Sequence, residues 1–136
     1  MQKVRATRLL VSAILIAAPL AALHAQAPPA TASHPAAVAH RAFVVAVGER
    51  NLPDARTHLS RALIAALPEL GGLTKACADR VGPGDILGIQ TLGTEVKDKK
   101  AVVSYRLQLA DGSSRFGKET MVFEDGAWKL DVKEAR

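Results

Sequence analysis

The chain has 136 residues with 18 basic and 13 acidic side chains, a formal net charge of +5 and one cysteine. Residues 1–25 hold three of the basic residues and none of the acidic ones, so residues 26–136 carry only +2 (15 basic against 13 acidic), which argues against a nucleic-acid partner. The 111 residues from 26 to 136 suffice for one modest core, and the lone Cys77 excludes an intrachain disulfide.

The N-terminus has the pattern of a secretory signal peptide. Lys3, Arg5 and Arg8 give a basic start, and a nearly continuous apolar run of 15 residues follows from Leu9 to Leu23. That run is shorter than the roughly 20 residues that a membrane-spanning helix needs, so no stable membrane anchor is predicted. Cleavage is expected after Ala25, which predicts a periplasmic or secreted protein.

Residues 26–35 are rich in Ala, Pro, Thr and Ser, and we interpret them as a disordered lead-in to a single domain over 36–134. A helix is predicted over 35–49, because apolar residues recur at helical spacing and form one stripe. The members of this stripe are Ala39, Ala42, Phe43, Ala46 and Val47.

Shorter helices are predicted to follow. Asn51 is a candidate N-cap, with Pro53 in the first turn, for a helix that ends near Leu59. Ser60 can cap a third helix over 61–67, which Pro68 ends. A further helical turn or two is expected over 75–81.

Strands fill the second half of the chain. One is predicted over 86–96, and three antiparallel strands joined by tight turns are predicted over 101–132. Asp111-Gly112-Ser113 gives a three-residue turn and Asp125-Gly126 a two-residue turn, since Gly accepts the positive φ that such turns need. Apolar and polar residues alternate in the first and last of these three strands, as in a sheet with one buried face.

Turn length determines which residues of the middle strand face the core. The first turn places Glu119 opposite Tyr105, and the second places it opposite Val132 and pairs Phe123 with Trp128. Both turns therefore direct one alternate set inward, namely Glu119, Met121 and Phe123. A one-residue slip or a bulge would instead turn the other set inward, namely Phe116, Lys118, Thr120 and Val122.

The order of elements and the last two strands resemble a known superfamily. Val103, Tyr105, Leu107 and Asp111-Gly112 match a "v-x-y-x-l…dG" strand, and 125–130 match the ending "dG-x-W-k-i/l". Over about 36–133 the chain resembles the nuclear transport factor 2-like (cystatin-like roll) superfamily, and within it the small exported bacterial domains of unknown function. The resemblance implies an α+β fold, with N-terminal helices packed on a curved antiparallel sheet in a cone-shaped roll. It also implies a pocket between helices and sheet, which members use as isomerases, cyclases, dehydratases, adaptors or ligand-binding modules.

Glu119 and Tyr105 are the candidates for chemistry. A carboxylate that faces an apolar interior has a raised pKa and can act as a general acid or base, and the Tyr105 hydroxyl can hold it or a substrate oxygen. The alternative is a solvated Glu119 near the open end of the cone or on the other face. The other inward positions are mostly aliphatic, which argues against catalysis.

The remaining candidates point to binding. Trp128, Phe43, Met121 and Phe123 can line a ligand cavity or form plain core. His40 and His58, on the first and second helices, can meet in a pocket as a base or a ligand, but a position on a polar helix face is the commoner expectation for both. Cys77 is expected to be a buried small hydrophobe. No metal-ligand spacing and no cofactor motif are present, so no metal and no cofactor are predicted.

The sequence therefore favours an exported, non-enzymatic module that binds a small apolar ligand or a protein partner. The alternative is a small isomerase-, cyclase- or hydratase-like enzyme that uses Glu119 and Tyr105. Ser104, Arg106, Gln108, Lys118 and Thr120 are expected on the outer face of the sheet, and the superfamily resemblance allows a homodimer through that face.

Overall fold

The structure is a computed structural model that describes residues 34–82 and 84–133. The predicted signal peptide, lead-in residues 26–33 and the domain's final residue 134 lie outside the described residues. The first described helix begins at Pro35, as predicted, so the lead-in ends earlier than residue 35 and His34 already belongs to the helix start. Pro35 is its first residue and His34 is its N-cap, whose Nδ1 accepts a hydrogen bond of 3.1 Å from the Ala36 N–H.

Side-chain caps define two of the helix starts that the sequence predicts. The Asn51 side chain accepts from the Asp54 N–H at 3.2 Å, and Ser60 Oγ accepts from the Leu63 N–H at 3.1 Å. Each cap satisfies an N–H that lacks a partner within its own helix. The segment expected around 75–81 is a full helix of 9 residues. The helices within the described residues are α1 (Pro35–Gly48), α2 (Leu52–Thr57), α3 (Arg61–Ala66) and α4 (Leu73–Val81).

In the part of the chain that the structure describes, four antiparallel strands form one sheet in the order β1-β2-β3-β4. The strands are β1 (Ile86–Lys97), β2 (Lys100–Leu109), β3 (Ser114–Glu124) and β4 (Ala127–Leu130). The segment after α2 runs beside β4, because Leu130 N–H donates to His58 O at 2.7 Å and Ser60 N–H donates to Leu130 O at 2.8 Å. Helices on one face of a curved antiparallel sheet confirm the predicted α+β roll.

One turn lies a residue earlier than predicted, and this shifts the register by two. Leu109 N–H donates to Ser113 O at 2.9 Å, so the three-residue turn is 110–112 with Gly112 at φ 86° in its last position. A type I turn followed by a left-handed residue is a common three-residue hairpin loop. Glu119 therefore lies opposite Val103, and the predicted pairing with Tyr105 is wrong. An even shift keeps the same face inward, so Glu119 and Met121 are buried as predicted.

The two-residue turn has the predicted geometry. Asp125 and Gly126 have φ of 52° and 77°, and Phe123 pairs with Trp128. The predicted pairing of Glu119 with Val132 is wrong, because β4 ends at Leu130 and Val132 is left exposed.

The core lies between α1 and the inner face of the sheet. Helix α1 buries Phe43, Val44 and Ala46 there, while Ala39, Ala42 and Val47 of the predicted stripe are only partly buried or lie at its edge. His40 is also in the core, 1% exposed, so its predicted position on a polar helix face is wrong. The sheet contributes the large buried side chains Val103, Leu107, Met121 and Leu130.

The outer face of the sheet carries the residues that the sequence places there. None of Ser104, Arg106, Gln108, Lys118 and Thr120 is buried. Among the residues that the structure describes, no helix has the length and apolar character needed to cross a membrane.

Candidate functional site

A buried ion pair connects the last helix to the sheet. Arg80 of α4 and Glu119 of β3 have side chains only 7% and 1% exposed, and Arg80 Nη1 donates to Glu119 Oε1. Arg80 Nη2 donates to the Asp131 carbonyl at 2.7 Å. Glu119 is thus paired with a cation of the same chain inside the core.

Two further polar side chains lie close to this pair. The Tyr105 hydroxyl donates to the Arg80 carbonyl at 3.4 Å, and the His40 ring packs on the Tyr105 ring with centroids 4.6 Å apart. His40 Nδ1 and Thr91 Oγ1 are buried without a hydrogen-bond partner. Thr91 lies opposite Tyr105 in the β1–β2 ladder, so both unpaired groups belong to residues that adjoin Tyr105.

Burial controls the protonation of these groups. Desolvation raises the pKa of Glu119, and the charge of Arg80 opposes that rise. Desolvation, helped by Arg41 and Arg80, lowers the pKa of His40 to about 4, so its imidazole is neutral at pH 7. Desolvation followed by the Glu119 charge raises the pKa of Tyr105. A protonated phenol, a neutral imidazole and a paired carboxylate form a core network that is suited to holding elements together.

A separate groove opens between the start of α1, the end of α2 and the β3–β4 hairpin. Its cavity volume is about 770 Å³, within the usual range for small-molecule sites. Most of its lining is apolar or backbone, namely Pro35, Val38, Ala39, Ala42, Phe123, Gly126, Ala127 and Trp128. The remaining lining residues are Thr57, His58 and Lys129.

The hairpin turn brings the two aromatic residues of the groove together. Because Asp125 and Gly126 close the hairpin in two residues, Phe123 and Trp128 are direct neighbours with ring centroids 5.4 Å apart. The His34 ring lies edge-on to Trp128 at 5.6 Å. Phe123 is 38% exposed and Trp128 is partly buried, so the pair presents apolar surface towards the groove.

One end of the groove is polar and basic. Lys129 Nζ donates to the Thr57 carbonyl at the end of α2, which holds the ammonium group at the groove edge. His58 is partly buried, and this burial lowers its pKa despite the opposing charge of Asp54. No carboxylate lines the groove.

The structure divides the predicted pocket residues between these two places. His58 and Trp128 line the groove, whereas Phe43, Tyr105, Glu119 and Met121 lie in the core. Sequence reasoning missed Arg80 and the groove wall on α1. A signal for that wall was present, because Pro35 and Val38 continue at helical spacing from Ala39 and Ala42, two members of the predicted core stripe. Nothing in the sequence pattern pointed to Arg80.

Neither a reactive cysteine nor a metal-binding cluster is found among residues 34–82 and 84–133. Cys77 is 1% exposed, as predicted, and burial raises the pKa of its thiol, which disfavours the reactive thiolate. Within 34–82 and 84–133, no three His, Cys, Asp or Glu residues are grouped in a way that could hold a metal ion.

Comparison with solved structures supports the fold. A Campylobacter jejuni protein with the provisional name NTF2-like transpeptidase aligns with a TM-score of 0.56 at 10% identity, over 69% of this chain and 94% of that one. An NTF2-like protein of unknown function from Burkholderia pseudomallei aligns with a TM-score of 0.36 at 18% identity, over 71% and 87% of the two chains. The sequence matches no protein-family model and no curated protein. The fold is NTF2-like, as the sequence resemblance implied.

Proposed function

We propose that this chain is an exported, non-enzymatic module that binds a small apolar molecule in the groove beside Trp128. The groove itself is the observation that carries the proposal, because it is large, mostly apolar and next to two exposed or half-buried aromatic rings. Apolar pockets with a few polar groups at one end are the usual form of small-molecule sites. The support for export is the signal-peptide pattern over 1–25.

The enzymatic alternative has weaker support. Burial of Glu119 and its raised pKa suit a general acid or base. However, Arg80 already binds the carboxylate, and neither Glu119 nor Tyr105 lines the groove. A catalytic group must lie within hydrogen-bond reach of its substrate, so we assign Glu119 a structural role.

A groove-filling variant tests the proposal. Ala42 lines the groove, and Ala42→Phe would place a ring in the space that the ligand needs. We expect the affinity for the uncharged apolar dye Nile red to fall about tenfold or more. The reason is that the dye would bury less apolar surface, which lowers its binding free energy by about 1.4 kcal/mol or more. The affinity is measured by titrating the protein from residue 26 onward into Nile red and following the emission of the dye.

The matched control is Val45→Phe. Val45 is exposed on the same helix but does not line the groove, so this change adds an aromatic ring elsewhere. We expect its Nile red affinity to equal that of the wild type. An equal loss of Nile red affinity in both variants, or an unchanged affinity in Ala42→Phe, would show that the dye does not bind in the groove. Either result would contradict the proposal.

A further inference from the structure

The polar side chains that line the groove are basic or neutral, and none is acidic. The lining includes one ammonium group, one imidazole and no carboxylate, and the Thr57 hydroxyl in the lining already donates to the Asp54 carbonyl at 2.6 Å. The Asp54 charge acts on His58, but Asp54 does not line the groove. The site therefore offers hydrogen-bond donors and positive charge at one end, and apolar surface along the rest.

We propose that the groove accepts an amphipathic acid, with its apolar body against Phe123 and Trp128 and its carboxylate at Lys129 and His58. This inference rests on the proposed function and adds the chemical class of the ligand. The volume of about 770 Å³ is compatible with a medium-length alkyl or aryl carboxylic acid.

Lys129 is placed to bind such a head group. An ammonium group has three donors, and the Thr57 carbonyl takes one of them, which leaves donors for a ligand oxygen. The contact with Thr57 also fixes the long side chain in advance, so less conformational entropy is lost when the ligand binds. The carbonyl groups at the end of α2 offset part of the Lys129 charge, so the expected gain in affinity for a carboxylate is moderate.

His58 adds a second donor beside Lys129. It immediately follows Thr57 and caps the C-terminus of α2, and its partly buried ring lines the groove. Because burial disfavours its charged form, the neutral ring contributes one N–H rather than a second positive charge. A carboxylate, with its two oxygens, can accept from both side chains.

The test compares two ligands that differ only in the head group. Decanoate and 1-decanol are titrated separately into the protein from residue 26 onward, each below its solubility limit, while the fluorescence of Trp128, the chain's single tryptophan, is followed. We expect decanoate to bind about five- to tenfold more tightly, the usual gain from a partly exposed charge-assisted contact. In Lys129→Gln this preference should disappear.

Lys118→Gln is the matched control, since it removes the same charge from an exposed lysine that does not line the groove. Its preference for decanoate should equal that of the wild type. Equal affinity for both ligands in the wild type, or an unchanged preference in Lys129→Gln, would overturn the inference and leave the apolar groove as a binding site. Failure of both ligands to bind would overturn the inference and the proposed function together.

Discussion

Replacement of Arg80 by methionine is expected to lower the free energy of unfolding by about 3–5 kcal/mol at pH 7, because it leaves the buried Glu119 carboxylate without its cation. The same change frees the Asp131 carbonyl that Arg80 Nη2 binds. Urea denaturation followed by Trp128 fluorescence measures the loss. A reduction below about 1 kcal/mol would mean that the pair contributes little to the fold.

A double-mutant cycle separates the pair from its surroundings. Removing both charges in Arg80→Met/Glu119→Met should recover much of the stability lost in Arg80→Met, since two apolar side chains can replace a buried ion pair. A double variant as unstable as the sum of the single variants would show that the two residues act independently.

The Arg80→Met variant should also become sensitive to pH. Burial keeps the pKa of Glu119 above its unfolded-state value, and the variant lacks the cation that opposes this. A group with a raised native pKa stabilises the fold below its unfolded pKa, about 4.3, and this contribution is lost as pH rises through the native pKa. The stability difference from wild type should therefore widen as the pH rises above the unfolded-state pKa of about 4.3, as urea denaturation at a series of pH values would show.

Gly117→Ala is the second large expected effect. Gly117 lies opposite Tyr105 in the ladder, and a Cβ there would be 2.5 Å from the Tyr105 hydroxyl oxygen and 2.7 Å from Cζ. The ring is 6% exposed and packs on His40, so it cannot move aside freely. We expect a loss of about 1–3 kcal/mol from overpacking, measured by urea denaturation.

Gly93→Ala provides the comparison. Gly93 is also in a strand, but nothing lies within 4 Å of a Cβ built there. A methyl group should therefore be neutral or slightly stabilising, since it restricts the unfolded chain. Similar losses at both positions would show that strand geometry in general, and not the Tyr105 ring, explains the effect.

Local sequence signals predicted the elements that local interactions determine. Asn51 and Ser60 cap helices within three residues, and Asp125-Gly126 closes a two-residue turn, so each was visible from the chain alone. The 110–112 turn was placed one residue late because Asp111-Gly112 fits either position. The inward face of β3 was still predicted correctly, since the resulting shift was even.

The buried ion pair and the groove depend on contacts between segments that are distant in the chain. The sequence therefore predicted only some of their residues. Arg80 and Glu119 are 39 positions apart, and no periodicity links a short helix to a particular strand residue. The sequence of α1 indicated a polar helix face for His40, whereas the structure buries its ring against Tyr105. The groove needs α1, α2 and the hairpin in their folded positions. Phe123, Trp128 and His58 are the sequence-predicted candidates that line it, and the sequence did not bring all three together. A homodimer through the outer sheet face stays a prediction.

Native mass spectrometry of the protein purified gently from its own host can show directly whether a ligand occupies the groove. We expect a chain that begins at Gln26 and carries an additional small-molecule mass. That additional mass should be absent from Ala42→Phe prepared in the same way and present in Val45→Phe. A wild-type protein with no bound mass, or an additional mass that Ala42→Phe retains, would contradict a resident ligand in the groove.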